Sequence, residues 1–156
     1  MSPRLLNNSE AEDYRHELCA GLRILEQAGF ELPARVSLPS GRKQDLRLGW
    51  VLGEKQEAMI VEWATKNHCV LRDNDENIDR FRTVYFSGDR YARSLAIEGG
   101  VANVYTPQGA ESLFWVDTNS VIPEDRYTAR ECKQIAKLLG FEGLPKWYPT
   151  MAYIDG

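Results

Sequence analysis

The stretch from Thr83 to Thr106, TVYFSGDRYARSLAIEGGVANVYT, constrains the fold more than any other part of the chain. Val84, Tyr85 and Phe86, and again Val101, Val104 and Tyr105, are β-branched and aromatic residues that suit a pleated, half-buried surface. Between them Ser87-Gly88 offers a tight start to a short helix and Gly99-Gly100 a stop. The stretch therefore predicts a buried strand, a short helix and a second strand at the centre of the fold.

A chain of 156 residues is the size of one ordinary domain, and a second independent core is not expected within it. Hydrophobic residues make up 43% and charged residues 27%, a balance that predicts a packed core rather than disorder. No apolar run approaches the roughly 18 residues of a membrane span, and the start, MSPRLLNNSEAED, lacks the charged-then-apolar plan of a leader. A cytoplasmic protein with no membrane partner is the expectation. Cys19, Cys69 and Cys132 are odd in number and widely spaced, so reduced, mostly buried thiols are expected in place of a disulfide frame. The net charge of −4 argues against general adhesion to nucleic acid, which needs a positive field.

Ser9 and Glu12 have capping-box spacing, and Tyr14, Leu18, Leu22 and Leu25 follow at helical intervals, predicting a helix to Ala28 with Gly29 as its left-handed stop. Residues 31–43 read as a short strand or extended arm. Leu46, Leu48 and Trp50 alternate as a strand does, and Glu54–Lys66 favours a helix. A brief strand is expected at His68–Arg72, then a polar turn, DNDENID, capping a helical turn over Glu76–Arg82. Ser112–Val116 reads as a strand in a hairpin with its neighbour across Pro107-Gln108-Gly109. Thr128 and Glu131 repeat the capping box, with Cys132, Ile135, Leu138 and Leu139 as the inner stripe of a closing helix and Gly140-Phe141 as its end. The tail, with Pro145, Trp147, Tyr148 and Pro149, is aromatic enough to lie over the core. The fold expected is α+β: a single domain, residues 1–156, with a small, mostly antiparallel sheet packed by the N- and C-terminal helices.

Candidate chemistry is sparse. Asp73, Asp75, Asn77 and Asp79 begin the spacing of a calcium loop, but Ile78 stands where the loop needs glycine and Val84 where a bidentate glutamate closes it. His16 with Cys19 and His68 with Cys69 supply soft ligands, yet neighbours on a strand face opposite ways, so no metal is expected. No G-x-S-x-G, G-x-x-x-x-G-K or G-x-G-x-x-G motif is present, and Ser87-Gly88 at a helix start offers at most one anion site.

YFSGDRYARSLAIEGGVANVYT resembles the strand-helix-strand half of ADP-ribosyltransferases. That resemblance implies an NAD-using enzyme with Tyr85, Ser87, Arg90 and Glu111 near the pocket; an early strand with a ribose-binding histidine or arginine has no counterpart. IVEW at Ile60–Trp63, FSGD at Phe86–Asp89 and PQG at Pro107–Gly109 are similar in order to the marks of Toprim domains. It implies magnesium-binding carboxylates, although Ser87 replaces the first aspartate and the glutamate lacks its following glycine.

Arg80, Arg82, Arg90 and Arg93 lie beside Phe81, Tyr85 and Tyr91, a mixture able to hold single-stranded nucleic acid by stacking; the plainer expectation turns the aromatics inward to a core. Acids recur in knots, Asp73, Asp75, Glu76 and Asp79 foremost, and would offer phosphate-like charge to a basic surface. The expectation is a small acidic binding protein without cofactor, acting by stoichiometric protein contact, with inhibition of a nucleic-acid-handling machine as the narrower form. Its contact residues are expected at Asp73, Asp75, Glu76, Asp79, Arg80, Arg82 and Arg90.

Overall fold

The structure, a computed structural model, describes Leu22, Leu25, residues 29–31 and residues 43–154. In chain order these form β1 (Lys43–Val51), α1 (Glu54–Lys66), α2 (Arg80–Ser94), β2 (Gly100–Thr106), β3 (Gly109–Thr118), a 3-10 turn (Pro123–Asp125), α3 (Ala129–Leu139) and β4 (Lys146–Ile154). All strand pairs are antiparallel in the order β1-β3-β2-β4, and β4 returns to β1 to close a small barrel. Mixed α+β architecture with an antiparallel sheet is thus present.

β2 and β3 form the expected hairpin, in register from Gly100 opposite Trp115 to Thr106 opposite Gly109. The Thr106 hydroxyl closes the turn, accepting from the Gln108 N–H at 3.1 Å and donating to the Gly109 carbonyl at 3.0 Å. Among the described residues β2 and β4 pair at Val104 opposite Thr150. The tail expected to drape over the core is instead β4, whose Trp147 enters the core while Leu48 and Arg47 pair with Trp147 and Tyr148.

One sheet face meets the helices. Leu46, Leu48 and Trp50 of β1, Phe114 and Val116 of β3 and Trp147 of β4 pack with Ile60 of α1, Val84, Tyr91 and Ala92 of α2, and Cys132, Ile135, Ala136 and Leu139 of α3. Leu113 and Val104 are buried outside that cluster, on the opposite strand face by the alternation of side chains. Gln56 ties two helix ends together: its side chain accepts from the Gly53 N–H at 3.0 Å and donates to the carbonyls of Leu139 and Gly140 at 3.1 and 3.2 Å.

α1 and α3 form over the expected residues, but the inner stripe of α3 is Cys132, Ile135, Ala136 and Leu139; Leu138, expected in it, is 58% exposed because it stands about 100° around the helix from Leu139. Thr128 and Glu131 form the reciprocal cap, and Gly140, at φ +77°, ends α3 in the left-handed conformation. The expected first helix, with its Ser9 cap, lies outside the described residues apart from Leu22 and Leu25, which are helical, and Gly29, at φ +63°, whose N–H donates to the Leu25 carbonyl at 3.3 Å. Most of the expected arm at residues 31–43 lies outside them too. Leu25 and Phe30 reach the core cluster, and the Trp147 indole donates to the Phe30 carbonyl at 2.9 Å.

The largest correction concerns the opening stretch. Val84, Tyr85 and Phe86 are not a strand; α2 runs unbroken through them to Ser94, and only the second strand, β2, is where expected. Asp79 caps α2 by accepting from the Arg82 N–H at 3.0 Å, which starts the helix one turn before the β-prone residues and carries it over their propensity. The buried positions Thr83, Val84, Ser87, Gly88, Tyr91 and Ala92 recur at helical spacing and form one stripe. The brief strand expected at His68–Arg72 reduces to a single bridge, Arg72 to Ile78.

Gly88 decides how close that stripe comes to the sheet. A Cβ there would lie 2.4 Å from Cγ2 of Val101 on β2, so only glycine fits where α2 crosses the strand. Gly88→Ala should therefore lower stability by about 1–3 kcal/mol through overpacking, even though alanine is the better helix former. Chemical denaturation of the two proteins measures it; equal or greater stability of the variant would mean the contact is not tight.

Candidate functional site

α2 has two stripes. Opposite the buried one stand Phe81, Arg82, Tyr85, Phe86, Asp89, Arg90 and Arg93, all exposed and all on positions that face one way on a helix. Phe81 and Phe86 are 60% and 62% exposed and Tyr85 39%. Phe81 stacks on Tyr85 with ring centroids 6.5 Å apart, and Tyr85 meets Phe86 edge to face at 5.0 Å. Ile78, also exposed, extends the apolar part toward the preceding turn. The aromatics expected to turn inward thus split: Tyr91 packs into the core, while Phe81, Tyr85 and Phe86 face solvent.

Apart from Arg90, in the second half of the helix, the polar residues expected to make contacts lie at its start, and several are already engaged. The Asp73 carboxylate folds its own turn, accepting from the N–H groups of Asp75 at 2.9 Å and Asn77 at 3.0 Å, and Asp79 is the helix cap. Arg80 reaches across to α1, with Nε on Glu57 at 3.1 Å and Nη2 on the Glu54 carbonyl at 3.0 Å. The turn is also anchored from below. Buried Thr83 accepts from the Leu71 N–H at 2.9 Å and donates to the Leu71 carbonyl at 3.3 Å. Asp75 and Glu76 are exposed, Glu76 at φ +63°, and Arg82 is exposed beside Phe86. Arg90 lies with Nη1 3.6 Å from the Cys69 sulfur. The structure therefore brings Asp75, Glu76, Arg82 and Arg90 to the rim of an aromatic patch. It commits Asp73, Asp79 and Arg80 to holding that rim in shape.

The residues named by the two resemblances do not converge. Tyr85 and Arg90 are on the outer stripe of α2, Ser87 is buried on the inner stripe, and Glu111 is on β3. Ser87-Gly88 sits in mid-helix, where it offers no free backbone amides to an anion. Ile60–Trp63 lies within α1, and Glu62 pairs with Lys66 at 3.1 Å on its surface. Neither the nicotinamide-pocket arrangement nor the strand-end carboxylates of the Toprim kind are formed by these residues.

Two other places gather titratable groups. Asp117 is buried; burial raises its pKa above the usual carboxylate range, against the pull of the Tyr127 N–H that donates to it at 2.8 Å. Beside it the Cys132 thiol is pushed up to about 12 by burial, then by the charges of Asp117 and Glu131, and so stays neutral and weakly nucleophilic. Arg126 stands over the Trp147 ring at 5.0 Å, its own pKa lowered by burial. Elsewhere a cleft of about 240 Å³ opens where β1 and β4 meet the loop after α3, lined by Trp50, Phe141, Glu142, Leu144, Lys146 and Tyr148 among others. Its Tyr148 hydroxyl is pushed above its ordinary range by burial and then by Glu111, which keeps it protonated. Among the described residues no group of three His, Cys, Asp or Glu side chains could hold a metal ion, and no helix is long and apolar enough to cross a membrane.

No protein family, curated protein or solved structure matches this chain.

The buried acid gives a pH signature. Because the folded pKa of Asp117 is raised, its contribution to stability is fully present below the ordinary aspartate value of about 3.9 and is lost as pH rises through the folded value. Asp117→Asn keeps an acceptor for the Tyr127 N–H without the charge. It should melt higher than the parent at pH 7, with the gap closing as pH falls through the carboxylate range. A variant less stable at pH 7 would show that the ionised form is favoured in place.

Proposed function

We propose that this chain is a binding protein acting by stoichiometric contact with another protein, and that the outer stripe of α2 is the contact surface. One observation carries the reading: Phe81, Tyr85 and Phe86 form a contiguous aromatic cluster on the solvent side of a helix whose opposite side already supplies the core. The fold gains little from these rings in water. Covering one aromatic ring fully is worth about 1.5–3 kcal/mol, and aromatic residues with arginine are the types enriched at the centres of protein interfaces. Arg82 and Arg90 on the stripe, with Asp75 and Glu76 at its end, supply the polar border such a patch needs.

That border is mixed in sign, which suits protein contact in general better than mimicry of a phosphate backbone; a basic-surfaced partner remains served by Asp75 and Glu76 alone. The second reading, a stacking platform for single-stranded nucleic acid, is favoured by the rings standing outward beside Arg82 and Arg90. The acidic neighbours and the net charge of −4 weigh against it.

The Phe81→Ser/Phe86→Ser variant should keep its stability within about 0.5 kcal/mol per site, as exposed substitutions do, while losing at least about 2 kcal/mol of binding to whatever protein the parent retains in stoichiometric amount. Leu138→Ser, at an exposed leucine on α3, is the control and should leave binding intact. Retention unchanged in the double variant, or retention abolished by nuclease, would overturn the proposal. So would a rise in melting temperature on adding NAD.

A further inference from the structure

We infer that the partner seated on the α2 stripe is a second copy of this chain, related to the first by a two-fold axis that sets the two α2 helices antiparallel. The inference rests on the stripe being a protein contact, and it adds the identity of the partner. What selects a second copy is the order of charge along the stripe. Its N-terminal end carries Asp75 and Glu76 in the turn and Arg82 in the first helical turn, its middle the rings of Phe81, Tyr85 and Phe86, and its C-terminal end Asp89, Arg90 and Arg93. Such a surface complements itself in one orientation only. With the helices antiparallel, Asp75 and Glu76 of each copy meet Arg93 of the other and its Arg82 meets the other's Asp89, while the aromatic middles pack on one another. A parallel pairing sets acid on acid and arginine on arginine.

The distances agree. At about 1.5 Å of rise per residue, Arg93 lies roughly 12 Å along the helix from Tyr85. The Asp79 cap lies roughly 9 Å from Tyr85 in the other direction, and Asp75 stands in the turn that leads into that cap. An axis passing close to Tyr85 therefore brings Asp75 of one copy to the neighbourhood of Arg93 of the other. A two-fold contact is also self-complementary by construction, each surface being both donor and receiver, as this one is. The charged ends are available for it: neither Asp75 nor Arg93 takes part in an ion pair among the described residues, and both are exposed. Arg80, which is held by Glu57, and Asp73, which folds the turn, are left out of the pairing.

α2 has 15 residues, about 22 Å of helix, so one pair of stripes covers an area at the lower end of specific interfaces. The dimer should accordingly be reversible and concentration-dependent, with dissociation in the micromolar range or weaker, and more so at high salt as the end charges are screened.

Sedimentation equilibrium of the purified protein, from about 1 μM to about 1 mM, tests this. The parent should pass from monomer to dimer over that range. Phe86→Asp should remain monomeric with an unchanged melt. Asp75→Arg and Arg93→Glu should each weaken association about fivefold to tenfold, and the double variant Asp75→Arg/Arg93→Glu should restore most of it. The two positions sit at opposite ends of the stripe within one chain, so restoration can come only from a pair formed between chains. A parent that stays monomeric throughout overturns the second-copy inference and leaves the α2 surface open to a different protein. A dimer that persists in Phe86→Asp overturns both, because the contact is then elsewhere. A double variant no better than its singles overturns the antiparallel pairing.

Discussion

The close approach of α2 to β2 at Gly88 and Val101 governs much of what the molecule presents to solvent. With no Cβ at Gly88, the helix lies directly against the strand at Val101. A helix held that closely has one rotational setting. Val84 and Tyr91 must point to the core, and Phe81, Tyr85 and Phe86, one or two positions from residues of the buried stripe and so turned away from it by about 100° or more, must point out. The outward patch is the geometric complement of the inward packing.

Polar interactions then fix where the helix begins. Asp79 caps it, Thr83 holds Leu71 by both backbone groups, and Arg80 ties it to the start of α1. Asp73 closes the turn upstream. Residues that looked like a partner surface thus divide into those that build the platform and those that stand at its edge. An acidic cluster read as letters is a density of charge; read as hydrogen bonds, half of it is scaffolding, its oxygens taken by the N–H groups of its own turn and helix start.

The same physics sets the protonation of the titratable groups gathered elsewhere. Asp117 and Cys132 lie between α3 and the barrel, where burial favours their neutral forms and the nearby acids hold the thiol protonated. A nucleophile needs the opposite environment. In the cleft beside Trp50, stacked on Phe141 at 5.1 Å, the walls are aromatic and the ionisable Glu142 and Lys146 are exposed. Such a cleft can accept an apolar group.

The sequence by itself settled those elements whose signals are local: the α3 capping box with its glycine stop, the helix over Glu54–Lys66, the alternation of Leu46, Leu48 and Trp50, and the hairpin across Pro107-Gln108. Each depends on neighbours within a few residues, so its pattern survives in one dimension. It also held the signal for α2, since the helical recurrence of Phe81, Tyr85, Phe86 and Arg90 was there to be counted, but TVYF competed with it as a strand. Only the tertiary structure decided between them, because the cap at Asp79 and the fit of Gly88 on Val101 outweigh an intrinsic preference that spans about 1 kcal/mol. It alone made the tail into β4, as a strand exists only through its partner, here β1. And it alone turned three aromatic rings to the water, because which side of a helix is outside depends on what lies against the other.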